Sequence, residues 1–141
     1  MRKIETQMNA AIANSSNWQS GNTSVHFNEE ESISIVRLHG NKIAEIGEGF
    51  IRLFDGGWQT NTTKSRLNAI LEANGADGDK VFQKNFDWFV QMDTRQGLTV
   101  VPFFSSMRLG WLCLSSIILF STSSLTDHEN PPSCYYRCLT V

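Results

Sequence analysis

The sequence predicts an α+β fold in which a small antiparallel sheet, made of a meander and a hairpin, packs against one central helix, with another helix at the N-terminus. Three observations predict it. Apolar and polar residues alternate between positions 23 and 54, and turns interrupt the alternation. A capped helical pattern follows at 62–74, and an aromatic-rich stretch with strand-like alternation follows the helix.

Apolar residues recur at helical spacing near the N-terminus, which predicts a short amphipathic helix. They are Ile4, Met8, Ala11 and Ile12. The pattern ends in the polar cluster at 14–17, where we expect a turn. Trp18 follows, and a lid on the core is the favoured interpretation over a ligand platform.

Four strands are predicted to form the meander, because apolar and polar residues alternate along them. They lie at 23–27, 32–38, 42–46 and 50–54. Tight turns are expected at 39–41 and 47–49, where Gly and Asn tolerate positive φ. The sheet then breaks at 55–57, and we expect Trp58 to cap the edge of the core.

The central helix is predicted to begin at Thr62 or Thr63 as its N-cap and to end near Gly75 in the left-handed conformation. Beyond it, 83–92 fits either a helix or a strand, and aromatic density favours a hairpin with the strand at 97–104. Pro102 restricts that last strand to an edge of the sheet.

Composition divides the chain near Gly110. Residues 1–108 hold eleven of the twelve Lys and Arg residues, whereas an apolar run, a Ser/Thr run and all three cysteines follow. We therefore predict a single α+β domain at 1–109. We expect 110–141 to be a C-terminal extension that is poorly packed or disordered.

Charge and hydropathy restrict the partners and the compartment. The net charge of −2 gives no global attraction to nucleic acid, so such binding would need a local patch. The apolar run at 111–120 is much shorter than the roughly 20 residues of a membrane-spanning helix. The N-terminus lacks the apolar core of a secretory signal. We expect a cytoplasmic protein without membrane contact.

No pattern typical of an active site or metal centre occurs in the sequence. Cys134 and Cys138, with His128, leave a structural zinc site one ligand short unless Cys113 joins. The Lys-Ser pair in GGWQTNTTKS lacks the glycines of a nucleotide-binding loop. For His39 a turn hydrogen bond is favoured over general-base work. We expect no enzyme activity, no cofactor and no metal.

Hydroxyl and cationic side chains gather where the central helix is predicted to begin, and a phosphate could be held there by free N–H groups and the helix dipole. The favoured interpretation is that the threonines cap the helix and the cations are solvated. The predicted binding residues are Lys42, Trp58, Thr60, Thr62, Thr63, Lys64 and Arg66.

Two segments, LHGNKIA at 38–44 and GGWQTNTTKSRLNAIL at 56–71, carry a family resemblance. They resemble a widespread family of small uncharacterised proteins of tailed bacteriophages, with the motifs LHGNxIA and GWxTxTTxxRLN. The resemblance is strong from His39 to Leu71 and extends more weakly over about 1–109. It implies a small single-domain cytoplasmic protein of viral origin, and it carries over no enzymatic activity.

The resemblance, the small size and the missing catalytic set together favour a non-enzymatic binding protein. We expect it to engage a host protein and thereby inhibit or divert a host process such as defence or transcription. The alternative is a nucleic-acid-binding accessory protein that uses the helix N-terminus at Thr60–Arg66. The sequence leaves the identity of the partner and the oligomeric state open.

Overall fold

The computed structural model describes residues 1–94, 97–111 and 137–140. Those residues form two helices, α1 (Lys3–Ala13) and α2 (Asn61–Asn74). Their strands are β1 (Trp18–Ser20), β2 (Thr23–Asn28), β3 (Ile33–Leu38), β4 (Asn41–Gly47), β5 (Phe50–Leu53), β6 (Lys80–Lys84), β7 (Asp87–Thr94), β8 (Gly97–Pro102), β9 (Met107–Trp111) and β10 (Arg137–Thr140). The α+β class predicted from the sequence is confirmed.

The larger sheet has seven strands in the order β1-β2-β3-β4-β5-β9-β10, and all its pairs are antiparallel. β1 to β5 follow one another as a meander, which confirms the predicted meander. The chain then leaves the sheet and returns as β9, which places Leu109 opposite Ile51. The sequence analysis did not predict β1, β9 or β10.

The smaller sheet is a separate three-stranded unit, β6-β7-β8. Its first turn is Asn85-Phe86, and both residues have positive φ, 52° and 68°. β7 pairs antiparallel with β8, which confirms the predicted hairpin with the strand at 97–104, and the helix alternative is wrong. Pro102 lies at the end of the edge strand β8, as predicted.

Turn chemistry sets the register of the larger sheet. His39 and Gly40 connect β3 to β4 with φ of 52° and 80°, the left-handed pair that a two-residue hairpin turn requires. Gly49, with φ of 77°, supplies the same freedom between β4 and β5. Both turns lie where the sequence predicts them.

The predicted ends of the central helix are wrong in two details. Thr60, not Thr62 or Thr63, is the N-cap, because its extended backbone (φ −104°, ψ 162°) immediately precedes the first helical residue. Gly75 is extended, with φ of −91° and ψ of −171°. Glycine is needed there for space, since a Cβ would lie 2.6 Å from the Leu71 carbonyl oxygen.

One hydrophobic core joins both sheets and both helices. α1 packs on α2 and β2, and α2 also contacts β4 and β6. The largest fully buried side chains are Met8, Ile43, Ile51, Leu53, Leu67, Ile70, Leu71, Met92, Met107 and Leu109. Trp58 lies outside this core, so the expectation that it caps the core edge is wrong.

The predicted C-terminal extension is described only in part. β10 pairs along β9, with Leu139 opposite Leu109. Residues 112–136 and 141, which include Cys113 and His128, lie outside the described residues. The domain boundary near Gly110 stays a prediction.

Candidate functional site

A cleft of about 370 Å³ lies where the β3–β4 turn, the loop after β5 and the start of α2 meet. Its lining residues are Leu38, His39, Asn41, Ile43, Asp55, Gly56, Trp58, Thr60, Thr62 and Thr63. Four predicted binding residues are among them: Trp58, Thr60, Thr62 and Thr63. The structure therefore brings the hydroxyl part of the predicted site together with Trp58.

The threonines divide into two that hold the helix start and one that is free. The Thr60 hydroxyl accepts a hydrogen bond from the Thr63 backbone N–H (3.1 Å). The buried Thr63 hydroxyl donates to the carbonyl oxygen of Trp58 (3.2 Å). Among the described residues, the half-buried Thr62 side chain has no hydrogen-bond partner, so its hydroxyl can serve a ligand.

Trp58 is presented to solvent by a rigid loop. Gly57 has φ of 86°, and its N–H donates to Asp55 Oδ1 (2.9 Å). The Trp58 N–H donates to the Asp55 carbonyl oxygen (3.2 Å), and its own carbonyl accepts from Thr60 N–H (3.1 Å). The side chain of Trp58 is nevertheless 71% exposed. The backbone is thus fixed while the indole remains available.

Arg66, the second cation of the predicted site, points away from the cleft into the interior. It is only 4% exposed, and its guanidinium Nη1 lies 2.7 Å from Glu5 Oε1. Its Nε donates to the Thr23 hydroxyl (3.2 Å), and Ser65 donates to the same Glu5 oxygen (2.5 Å). These contacts join α2 to α1 and β2, so Arg66 is a packing residue here.

The Glu5 carboxylate is stabilised in its charged form. Burial alone would raise its pKa, but hydrogen bonds from Ser65, from the Arg2 backbone N–H and from Arg66 act in the opposite direction, as does the Arg66 charge. The pKa of Glu5 is lowered as a net result. The pair is therefore a charged, hydrogen-bonded contact between the helices.

The two predicted lysines also fail to converge on the cleft. Lys42 Nζ lies 2.6 Å from Glu45 Oε1 and 4.6 Å from the centre of the Phe54 ring. Lys64 Nζ lies 3.5 Å from Gln83 Oε1, on the side of β6. In the cleft lining, Asp55 is the one residue of the Asp, Glu, Lys and Arg types. The cleft is therefore not a cationic phosphate site.

His39 connects this cleft with a neighbouring one. It also lines a cleft of about 420 Å³ beside Asn22 and Gly40. Its backbone N–H donates to the Asn22 carbonyl oxygen (2.8 Å), and its Nε2 lies 3.5 Å from Asn22 Nδ2. The turn interpretation of His39 agrees with these contacts.

The side-chain amide of Asn68 occupies the place of a neighbouring strand beside β6. Its Nδ2 donates to the Val81 carbonyl oxygen (2.9 Å), and its Oδ1 accepts from the Val81 N–H (2.7 Å). The amide therefore ties α2 to the outer side of β6 at the point where a further strand would pair.

Sequence reasoning missed Glu5 and Asp55. Glu5 shares the helical stripe of Met8 and Ile12, at spacings of three and seven residues, and this was the available signal for burial. An acidic residue in an apolar stripe of one helix, and a basic residue in that of another, predict a buried pair. For Asp55 the signal was the Asp-Gly-Gly turn.

Neither metal-binding clusters nor membrane spans occur in the part of the chain that the structure describes. Within it, no group of three or more His, Cys, Asp or Glu residues could hold a metal ion. None of its helices is long and apolar enough to cross a membrane.

The family comparison now identifies the origin of the chain. The family model described as Kyanoviridae Gp96 protein matches residues 1–110. The chain belongs to this phage family. The predicted resemblance to small phage proteins is thus confirmed, and the matched range contains every residue of the Trp58 cleft. No curated protein and no solved structure matches the chain.

Proposed function

We propose that this phage protein is a non-enzymatic binding protein that engages a host protein through the Trp58 cleft and thereby inhibits or diverts a host process. The observation that carries the proposal is the exposed indole of Trp58 on a rigid loop beside a cleft. Tryptophan is enriched among the residues that dominate protein–protein binding energy. A fixed backbone lowers the entropy cost of binding.

The composition of the cleft supports a protein partner. Trp58 supplies the exposed apolar surface of the cleft, with the buried Leu38 and Ile43 beneath it, while Asn41, Asp55 and Thr62 add polar groups. An apolar centre with polar groups around it is typical of protein interfaces. Since Asp55 is the one Asp, Glu, Lys or Arg residue in this lining, we expect the partner to insert a neutral or basic group next to Trp58. The host cytoplasm is the proposed place of this encounter.

The experiment is an affinity capture from host lysate with the tagged full chain and two variants. Trp58→Ala removes the proposed contact, and Phe86→Ala removes an aromatic that is 92% exposed on the β6–β7 turn. A stoichiometric partner should be retained by the wild type and by Phe86→Ala and lost by Trp58→Ala, and the purified pair should then form a complex. Equal capture by all three proteins, or no stoichiometric partner, contradicts the proposal.

The alternative, nucleic-acid binding at the helix start, has less support from the geometry. Arg66 is committed to Glu5, so Lys64 is the remaining cation of that segment. Binding there would have to weaken steeply with salt as phosphate counterions are released. Lys64→Ala should then weaken retention on DNA or RNA, and unchanged retention rejects this alternative.

A further inference from the structure

The smaller sheet has two edges, and they are built differently. The outer edge of β6 is covered at Val81, whose N–H and C=O both bond to the Asn68 amide. The same strand carries Lys80 and Lys84. Lysines and covering side chains are the usual means by which proteins prevent an edge strand from pairing with another chain.

Among the described residues, the β8 edge has neither lysines nor a covering side chain. Its sequence, GLTVVP, contains no charged residue, and no other described strand pairs with its outer side. Pro102 is the one residue of β8 that lacks an N–H, and it lies at the C-terminal end of the strand. Most of the edge is thus able to accept a partner strand.

The backbone groups that face outward follow from the pairing with β7. Phe103 N–H donates to the Trp88 carbonyl oxygen (2.9 Å), and Pro102 lies opposite Phe89 in the register. Because the hydrogen-bonded pairs of an antiparallel ladder alternate, Leu98, Val100 and Pro102 direct their backbone groups away from β7. Two N–H donors, from Leu98 and Val100, and three carbonyl acceptors are therefore offered.

The side chains on this edge are exposed and apolar. Leu98 is 63% exposed and Val100 is 50% exposed. Being two residues apart, they lie on the same face of the sheet. Exposed apolar side chains along an unprotected edge favour association over solvation.

We propose that a second copy of this chain pairs with β8, so that the two β8 strands run antiparallel about a two-fold axis at Val100. The two Val100 residues then exchange N–H to C=O bonds, and each Leu98 N–H meets the Pro102 carbonyl of the other copy. Pro102, which has no N–H to donate, lies at each end of this ladder, so its missing donor does not interrupt the central bonds. The edge is therefore self-complementary.

Symmetry also requires an uncharged residue at the axis of β8. In this two-fold register Val100 faces its own equivalent, where a charged residue would repel itself. In this register Leu98 lies beside Pro102 of the second copy, and Phe89 of that copy follows on the next strand. An extended peptide from another protein would gain the same backbone bonds, but it would gain this apolar row only if its own residues matched it. A second copy is thus the better occupant.

The test compares the wild-type full chain with Val100→Lys by sedimentation or light scattering over a range of concentrations. The wild type should reach the mass of two chains as concentration rises, because a six-residue edge gives a small, reversible interface. Val100→Lys should keep the mass of one chain, since two lysines would meet at the axis. Phe86→Lys is the matched control, an apolar-to-Lys change on the same sheet, and it should dimerise like the wild type.

Amide exchange gives the second measurement. The Leu98 and Val100 amides should be protected in the wild-type dimer and exchange faster in Val100→Lys, while those of β7 stay protected in both, which also shows that the variant is folded. A wild type with the mass of one chain at every concentration overturns the proposal. Dimerisation that Val100→Lys leaves unchanged overturns it as well. Slow Leu98 and Val100 exchange in a single-chain species would show that a segment of the same chain covers the edge.

Discussion

The two halves of the Thr60–Arg66 segment have opposite surroundings although only one turn of helix separates them. Thr60 and Thr62 line the open cleft beside Trp58. Ser65 and Arg66 bond to Glu5 in the contact between the helices. One run of hydroxyls and cations therefore supplies both a surface and a part of the interior.

The difference shows how helical position, rather than residue type, decides the role of a cation. Arg66 immediately precedes Leu67 and lies four residues before Ile70, on the stripe that faces the core. Lys64 is displaced from that stripe and reaches Gln83 at the surface. A cluster that looks uniform in sequence is thus divided by the periodicity of the helix.

The largest expected effect follows from breaking the buried contact that Ser65 and Arg66 make with Glu5. Arg66→Ala leaves Glu5 as an unpaired charge in the interior, and removal of one partner of a buried pair costs about 3–5 kcal/mol of unfolding free energy. Urea unfolding measures the change. Lys64→Ala is the matched control, with an expected change within about 0.5 kcal/mol. Similar losses in both variants would contradict the division of the segment.

The next largest effect is a loss of stability at low pH, where the buried Glu5 becomes protonated. Because the pKa of Glu5 is lowered in the folded protein, its contribution to stability is complete above the unfolded pKa and is lost as pH falls through the folded pKa. Glu5→Gln should therefore flatten the acid side of the stability–pH curve measured by urea unfolding. Glu30→Gln alters an exposed carboxyl and should leave the curve unchanged. If Glu5→Gln loses stability at low pH as steeply as the wild type, other groups cause the effect.

The capping residues should show a smaller, graded effect. Thr60→Ala removes the hydroxyl that accepts from the Thr63 N–H, and loss of such a cap costs about 1 kcal/mol. Thr62→Ala removes no hydrogen bond and should change the unfolding free energy by less than about 0.5 kcal/mol. Thermal unfolding of the two variants checks the order. If Thr62→Ala lowers the unfolding free energy more than Thr60→Ala does, Thr62 is the N-cap, as the sequence predicted.

The smallest expected effect belongs to Trp58 itself. Since the indole is 71% exposed, Trp58→Ala should change the unfolding free energy by no more than about 0.5 kcal/mol. Urea unfolding, followed by circular dichroism, tests this. A large loss would show that the indole packs on the domain and is not a free contact for a partner.

Local chemistry made much of the fold predictable. The turn at His39-Gly40 and the edge position of Pro102 follow from the φ that these residues adopt and the donor that proline lacks. The central helix followed from its cap and spacing, although the cap was placed two or three residues too late. Several threonines competed for that role, and propensity does not separate them.

Long-range partners explain the rest of what sequence reasoning missed. Glu5 and Arg66 are 61 residues apart, and neither is informative until the two helical stripes are set against each other. β9 was missed for the same reason, since its pairing with β5 joins residues more than fifty positions apart. The cleft residues were named in part, because Trp58 and the threonines are adjacent in sequence to the helix start. His39 and Asn41 are distant from the helix start in sequence, and the folding of the sheet brings them to the cleft.

The return of β9 to β5 has a consequence for the nascent chain. While residues 54–106 are being synthesised, the free side of Phe50–Leu53 has no neighbour, because Met107–Trp111 has not yet been made. Closure of the sheet thus waits until nearly the whole family-matched stretch has emerged. A chain whose translation stops before Met107 keeps that side open and is exposed to proteolysis.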